Sequence, residues 1–456
     1  MSQSMTYPGH VRAILTLGLP LIGGHLGQMA IGVTDTVMLG WYGVESLAAV
    51  TLGSTYFFVL FIFGSGFAWA VMPLVAAFNA EGDETGLRRA TRMGMWLSLG
   101  FALLVLPPMI WSEPLLRMMG QGDGLAADAA AYLSIAGFGI VPALLVMVLK
   151  SYLSALERTQ MVLWITLVAA VVNGLANYAF IFGNWGAPEL GLRGAAIASV
   201  STQTVSLVGL VIYVMAVLPQ HNLFQRLWRA DPGMLTRVFR LGLPIGLTSL
   251  SEVGLFAASA VMMGWLGTVP LAAHGIAVQL ASITFMVHLG LSNVATIRAG
   301  NALGRADPGH MARGAVVVTT LSVLMALATI GLFLGWPEPL ISLFILDGDP
   351  DRAAILSIGI WLLAMAALFQ LVDGLQAVAL GLLRGVQDTR VPMIYAAFSY
   401  WVVGIPASYL LGFTWGLEGI GVWLGLVFGL GAASILLNAR FWSVVLPRFG
   451  RAVQAA

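Results

Sequence analysis

The sequence predicts an all-α membrane protein: twelve transmembrane helices in two pseudo-symmetric six-helix lobes. Three observations carry this expectation. Charges are too few for a surface facing water, apolar runs of membrane length fill the chain, and the first half is rewritten in the second. Of 456 residues, 59% are hydrophobic and 9% charged. A soluble domain carries about 25% charged residues, so the solvent of this chain is lipid. Backbone groups in lipid must be satisfied internally, which leaves helices or a closed barrel. The apolar runs are continuous rather than alternating, so they read as helices.

In chain order the expected spans are 13–39, 47–77, 93–111, 126–149, 161–183, 195–218, 239–266, 271–297, 314–335, 354–382, 392–413 and 418–439. A bilayer crossing takes about 20 apolar residues. With the N-terminus in the cytoplasm, 18 of the 21 Lys and Arg fall on the cytoplasmic side and only Arg117, Arg193 and Arg352 outside. Such a bias orients membrane proteins, and it places both termini inside. The acidic stretch LDGDPDR (346–352) falls on the outer face. No small-residue cleavage site ends the first run, so it reads as a retained helix and not a signal peptide. Without cysteine there are no disulfides or thiolate metal sites.

The segment LGLPLIGGHLGQMAIGVTDTVMLGWYGVESLAA (17–49) aligns without gaps to LGLPIGLTSLSEVGLFAASAVMMGWLGTVPLAA (241–273), an offset of 224. NAEG (79–82) recurs as NALG (301–304), GLRG (191–194) as GLEG (416–419), and LSALERTQ (153–160) more loosely as LLRGVQDTR (382–390). The expected organisation is an N-lobe of helices 1–6 (1–217), a basic cytoplasmic linker (218–238) and a C-lobe of helices 7–12 (239–456). Six is even, so both halves enter the membrane the same way. Parallel repeats of this kind place a substrate site at their interface. Pro20 and Pro244 occupy matching positions, and proline kinks a helix, so both are hinge candidates.

Three acids stand inside the spans: Asp35, Glu252 and Asp373. A charge at a helix centre costs about 2.5–3.5 kcal/mol on insertion scales, and such residues usually face an interior and serve function. No Lys or Arg is expected within the spans to pair with them. Glu252 shares a helical face with Ser249, Phe256 and Ser259, and Asp373 with Phe369, Gln370 and Gln376. A carboxylate, small polar groups and an aromatic ring suit an organic cation, the ring acting by cation–π attraction. Such acids can carry a proton or, ionised, bind Na⁺ with several oxygen ligands. Asp35 finds candidate partners in Asn173 and Asn177, whose i, i+4 spacing puts both amides on one face. Na⁺ is thus expected at Glu252 and Asp373 or at Asp35 and Asn173. Gln28 joins Phe256, Phe369, Gln370, Gln376 and Ser259 as expected cavity lining. His25, His274 and His288 have no metal-ligand spacing and read as core or cavity lining. No GxxxxGK[ST], HExxH, GxSxG or DDxxD motif appears, so neither ATP-driven transport nor an enzyme is expected, and no cofactor beyond the coupling ion.

The helix 1 text LPLIGGHLGQMAIGVTDTVMLGWYG, the glutamate in SEVGLF and the aspartate in FQLVDGLQAVALGLLRGVQDT resemble the multidrug and toxic compound extrusion (MATE) family, NorM-type branch. The resemblance covers nearly the whole chain. It implies a V of two lobes that exports cationic, lipophilic drugs or dyes in exchange for Na⁺ or H⁺. It also implies a C-lobe cation site at Glu252 and Asp373 and an N-lobe site at Asp35, Asn173 and Asn177. Two departures stand out: Phe369 replaces a tyrosine common in that family, and some relatives have a second acid near Asn177, where this chain has the amide. The expected setting is a monomer in the bacterial inner membrane, surrounded by lipid, with no nucleic-acid partner. A lipid-linked precursor flippase of related two-lobed fold is the alternative; it should line its cavity with cations for phosphate.

Overall fold

The computed structural model describes residues 5–346 and 348–455. Residues 1–4 of the N-terminal stretch and Asp347 of the acidic stretch lie outside the described residues. Every regular element among those described is helical. In order they are α1 (Tyr7–Tyr42), α2 (Val44–Glu81), α3 (Glu84–Ile110), α4 (Ser112–Met118), α5 (Asp123–Ala136), α6 (Ile140–Ala155), α7 (Thr159–Phe182) and α8 (Leu192–Val217). The second half follows with α9 (Pro232–Leu266), α10 (Thr268–Gly304), α11 (Pro308–Gly335), α12 (Pro337–Ser342), α13 (Arg352–Gly385), α14 (Arg390–Phe398), α15 (Ile405–Tyr409), α16 (Glu418–Arg440) and α17 (Leu446–Ala455). Helices α5 and α6 run together as the fourth span, α14 and α15 within the eleventh, and α16 and α17 as the twelfth, giving 12 helical stretches long and apolar enough to cross a membrane.

The helices outrun the apolar windows read from sequence. The seventh, for example, begins at Pro232 rather than near 239, because helical hydrogen bonding continues past the hydrocarbon into polar turns. Local signals start these helices. Asp83 caps α3 by accepting from Gly86 N at 2.9 Å, and Asp307 caps α11 by accepting from His310 N at 2.8 Å. Side-chain caps of this kind satisfy orphan N–H groups at a helix start. The two aspartates are 224 residues apart, the repeat offset. The left-handed residues Glu157 and Gln387, both at φ 62°, likewise end the fourth and tenth spans at the loosely matching motif.

Packing separates the chain into two compact units. One is Gly23–Gly246; the other joins the chain up to Ile22 with Leu247–Ala456. The divisions fall inside α1 and α9, two residues after Pro20 and Pro244. In the Gly23–Gly246 unit, the stretch between α8 and α9 is pinned to α3. Arg92 donates to Leu223 O at 2.7 Å and Asn222 O at 2.6 Å, Trp96 Nε1 donates to Leu227 O at 2.7 Å, and Arg89 pairs with Asp231. His221 meets the Tyr152 hydroxyl at 2.5 Å, and burial pushes the His221 imidazole below its usual range.

In the other unit, close packing rests on small residues, as is usual between membrane helices. A Cβ at Gly381 of α13 would stand 2.3 Å from Ser292 O of α10, and one at Gly425 of α16 2.2 Å from Ser408 N. The eleventh span has two π-helical turns, Ser399–Gly404 and Leu410–Thr414. Ala396, Tyr400, Gly404, Ser408 and Gly412 are all buried, four residues apart. An α-helix turns once in 3.6 residues, so each step of four would drift by about 40°. The wider i→i+5 turns absorb that drift and hold the row against α16.

Candidate functional site

Each unit holds intramembrane acid. In the Gly23–Gly246 unit, α1 carries Asp35 and α7 carries Asn173 and Asn177, and the structure brings the three together. Asp35 Oδ1 accepts from Asn173 Nδ2 at 3.0 Å and from Asn177 Nδ2 at 2.6 Å. Asn177 Nδ2 also donates to Asn173 Oδ1 at 3.3 Å. The amides thus present N–H groups to the carboxylate, and Asn173 spends its oxygen on Asn177. A cation held here needs those amide oxygens turned toward it. Asn177 Oδ1 is buried and without a hydrogen-bond partner among the described residues.

In the other unit, α9 carries Glu252 and α13 carries Asp373 and Gln376. Asp373 is 3% exposed and Gln376 1%, while Glu252 is half-buried. Glu252 and Asp373 interact electrostatically, and Gln376 stands beside Glu252. Asp373 Oδ1 and Gln376 Oε1 are buried with no hydrogen-bond partner among the described residues. Unsatisfied buried polar groups are rare and need a reason.

Sequence reasoning missed two further groups here. The hydroxyl of Tyr400, fully buried in the first π-helical turn of the eleventh span, stands beside Gln376 and interacts electrostatically with Glu252 and Asp373. Arg384 of α13 interacts electrostatically with Glu252 and Tyr400. A polar-tipped ring within the apolar text SYWVVG was the available signal for Tyr400. Arg384 lies just past the apolar window that was expected to end at 382.

The expectation of cation-free spans is therefore corrected. Helices that outrun their apolar windows bring in Lys150, Arg298 and Arg384. Lys150 Nζ donates to Thr166 Oγ1 at 2.9 Å, and Arg298 Nη2 reaches His10 Nδ1 at 3.0 Å and His310 Nε2 at 2.9 Å.

The expected lining residues are mostly interior here. Phe369 packs edge-to-face between Phe256 and Trp423, with centroids 5.8 and 5.7 Å away. Trp423 Nε1 donates to His274 Nδ1 at 3.1 Å. Ser259 Oγ donates to Phe256 O at 2.7 Å and Gln370 Nε2 to Ala281 O at 2.9 Å. Phe256 is half-buried and Gln28 exposed. His288 Nδ1 meets Ser322 Oγ at 2.8 Å, and His25 is half-buried near Lys150. Among the described residues no group of three His, Cys, Asp or Glu could hold a metal ion. The groups that meet at the two clusters are carboxylates, amides and a phenol.

Comparison with known proteins agrees with this architecture. The MatE family profile matches twice, over residues 20–179 and 244–410, once per half. A probable multidrug resistance protein NorM from Agrobacterium fabrum is 45% identical over 442 residues, 96% of this chain and 95% of that one. Its namesake from Rhizobium meliloti is 44% identical over 445 residues, again 96% and 95%. The crystal structure of the eukaryotic MATE transporter AtDTX14 superposes with TM-score 0.87 over 98% of this chain and 99% of that chain, at 17% identity, a likeness of fold. The chain is a multi-pass membrane protein that belongs to the MatE family, a family of transporters and not of enzymes, within its NorM-type branch.

Proposed function

We propose that the protein is an ion-coupled multidrug antiporter that exports cationic, lipophilic compounds in exchange for Na⁺ or H⁺. The observation that carries this reading is the pairing of Glu252 and Asp373 from two different helices, with buried oxygens left unsatisfied beside them. An acid kept at that cost inside a span is a functional group by default. The coupling ion occupies Glu252 and Asp373 and weakens drug binding there; the drug leaves as the ion arrives. Asp35, Asn173 and Asn177 form a second candidate site that takes an ion only when its amides turn. The half-buried ring of Phe256 supplies the cation–π surface, with Phe369, Gln28, Gln370, Gln376 and Ser259 becoming lining as the protein changes state. Pro20 and Pro244, each two residues from a division between packing units, serve as hinges between an N-lobe (1–217) and a C-lobe (239–456). The bias of positive charge supports an orientation with both termini in the cytoplasm, and the setting proposed is a monomer in the bacterial inner membrane.

Exchange of one singly charged drug for one such ion moves no net charge, so the ion's concentration gradient drives it: a tenfold ion gradient supplies about 1.4 kcal/mol and supports about a tenfold drug gradient. The test is ethidium efflux from cells with the Na⁺ and proton gradients collapsed separately. Glu252→Gln with Asp373→Asn is expected to abolish efflux at unchanged protein level. Efflux at the parental rate in that double variant sinks the proposal.

A further inference from the structure

Helix α1 is shared between the packing units: its first turns, up to Ile22, belong with Leu247–Ala456. There they lie on α10, where a Cβ at Gly290 would stand 2.5 Å from Ile22 Cγ1. The repeat builds the same joint in the Gly23–Gly246 unit. At the offset of 224, a Cβ at Gly66 of α2 would stand 2.4 Å from Gly246 N of α9. The two joints differ in their chemistry. His10 of α1, Arg298 of α10 and His310 of α11 are all buried. At the same offset their counterparts are Met234, Leu74 and Gly86, buried as well. Residues without charge therefore suffice for the fold, and the polar set needs another reason.

Arg298 Nη2 reaches His10 Nδ1 at 3.0 Å and His310 Nε2 at 2.9 Å, and the two ring centroids lie 4.6 Å apart. A guanidinium has only donors and keeps its proton in proteins. Both facing nitrogens must then accept, so both imidazoles are neutral with fixed tautomers. His10 carries its proton on Nε2, a buried atom with no hydrogen-bond partner among the described residues. A proton added to either facing nitrogen turns an acceptor into an N–H⁺ aimed at the guanidinium, and attraction becomes repulsion. The surroundings add to that repulsion. Arg313 of α11 also acts on His10 and Arg305 acts on His310, against Asp307, the acid that acts on both. The Asp307 carboxylate is already engaged in capping α11 through His310 N at 2.8 Å. Helix α13 meets the cluster at the apolar Leu382, and α17 approaches α11 at Pro308, 4.0 Å from a Cβ at Gly450.

We propose that Arg298, His10 and His310 form a pH-sensitive latch, which holds the first turns of α1 on α10 and α11 and releases them as the pH at that end of the protein falls. With the N-terminus in the cytoplasm, as proposed above, the latch reads cytoplasmic pH. Its working does not depend on which ion the intramembrane acids take.

The experiment is hydrogen–deuterium exchange of the purified protein between about pH 8 and about pH 5, where imidazole changes charge. Exchange over the first turns of α1 is divided by exchange over the first turns of α9, the joint without histidine in the same molecule. The intrinsic pH dependence of exchange cancels in that ratio. In the parent the ratio is expected to rise at least about tenfold toward acid pH, the worth of one hydrogen bond to a charged group. His10→Asn with His310→Gln keeps both acceptors, as Oδ1 and Oε1, and cannot take a proton, so its ratio is expected to stay flat. Should that variant fail to fold, His10→Met with Arg298→Leu and His310→Gly, the other joint's own residues, is expected to give the same flat ratio. A flat ratio in the parent overturns the latch. A rise of the parental size in either variant overturns its assignment to these side chains.

Discussion

Replacing Asn177 by aspartate tests how the Asp35 site is built. Asn177 Nδ2 donates to Asp35 Oδ1 at 2.6 Å. Aspartate is nearly isosteric and puts a carboxylate oxygen where that N–H stood. Two unit charges separated by that distance repel by about 6 kcal/mol at an effective dielectric of 20, and by roughly 4 kcal/mol once charge is spread over each carboxylate. The hydrogen bond to a charged acceptor, about 1.5–3 kcal/mol, is lost as well. A shared proton or a cation between the two carboxylates removes the repulsion, so at a pH well above the carboxylate range the variant should be less stable without Na⁺ and regain stability with it. If its dissociation constant is one hundredth of the Na⁺ concentration used, the gain is about 2.7 kcal/mol. The assay is thermal melting against NaCl, in a protein that also carries Glu252→Gln and Asp373→Asn so that the other site is silent. A melting point equal to that of the same background with Asn177, and indifferent to Na⁺, refutes the geometry argued for Asp35.

Three other expectations follow from packing and charge. Gly425→Ala forces a Cβ against Ser408 N and should cost about 1–3 kcal/mol by overpacking, read as a lower melting point in detergent. The Arg89 guanidinium hydrogen-bonds the Asp231 carboxyl and holds it below the usual carboxylate range. The contribution of that pair is therefore full above the ordinary carboxylate pKa and is lost as pH falls through the lowered one; Asp231→Asn should flatten the acid limb of melting point against pH. With no native cysteine, single-cysteine labelling reports topology: Leu343→Cys should react with an impermeant maleimide in intact cells, and Arg448→Cys only after permeabilisation. Reaction of both from outside rejects the orientation.

The fold was legible because its signals are long. Twelve apolar runs and a repeat spanning both halves are written many times over, and a boundary shifted by several residues leaves them intact. Asp35, Asn173 and Asn177 were legible because polar groups stand out in apolar helices and i, i+4 spacing aligns the two amides. Tyr400 was not, since its meeting with Glu252 depends on tertiary packing and on a π-helical turn with no periodic sequence mark. Arg384 was missed because hydropathy reports where apolar text stops, while the helix continues three residues further to Gly385. The repeat holds one lesson that alignment alone supplies. At the offset of 224, Glu252 stands opposite Gln28 and Asp35 opposite Ser259, so the halves share a frame but place their acids differently.

The paired wide turns of the eleventh span each hold one residue more than ordinary winding needs. Deleting one residue between Ser399 and Gly404 would let that winding resume with Ala396 and Gly404 seven residues apart, about 700° at 100° per residue and so within roughly 20° of the present row. Ser408 and Gly412 would stay in the seam with α16. A single-codon loss in this segment should thus spare the packing, whereas a single-codon gain, which adds about 100°, should not.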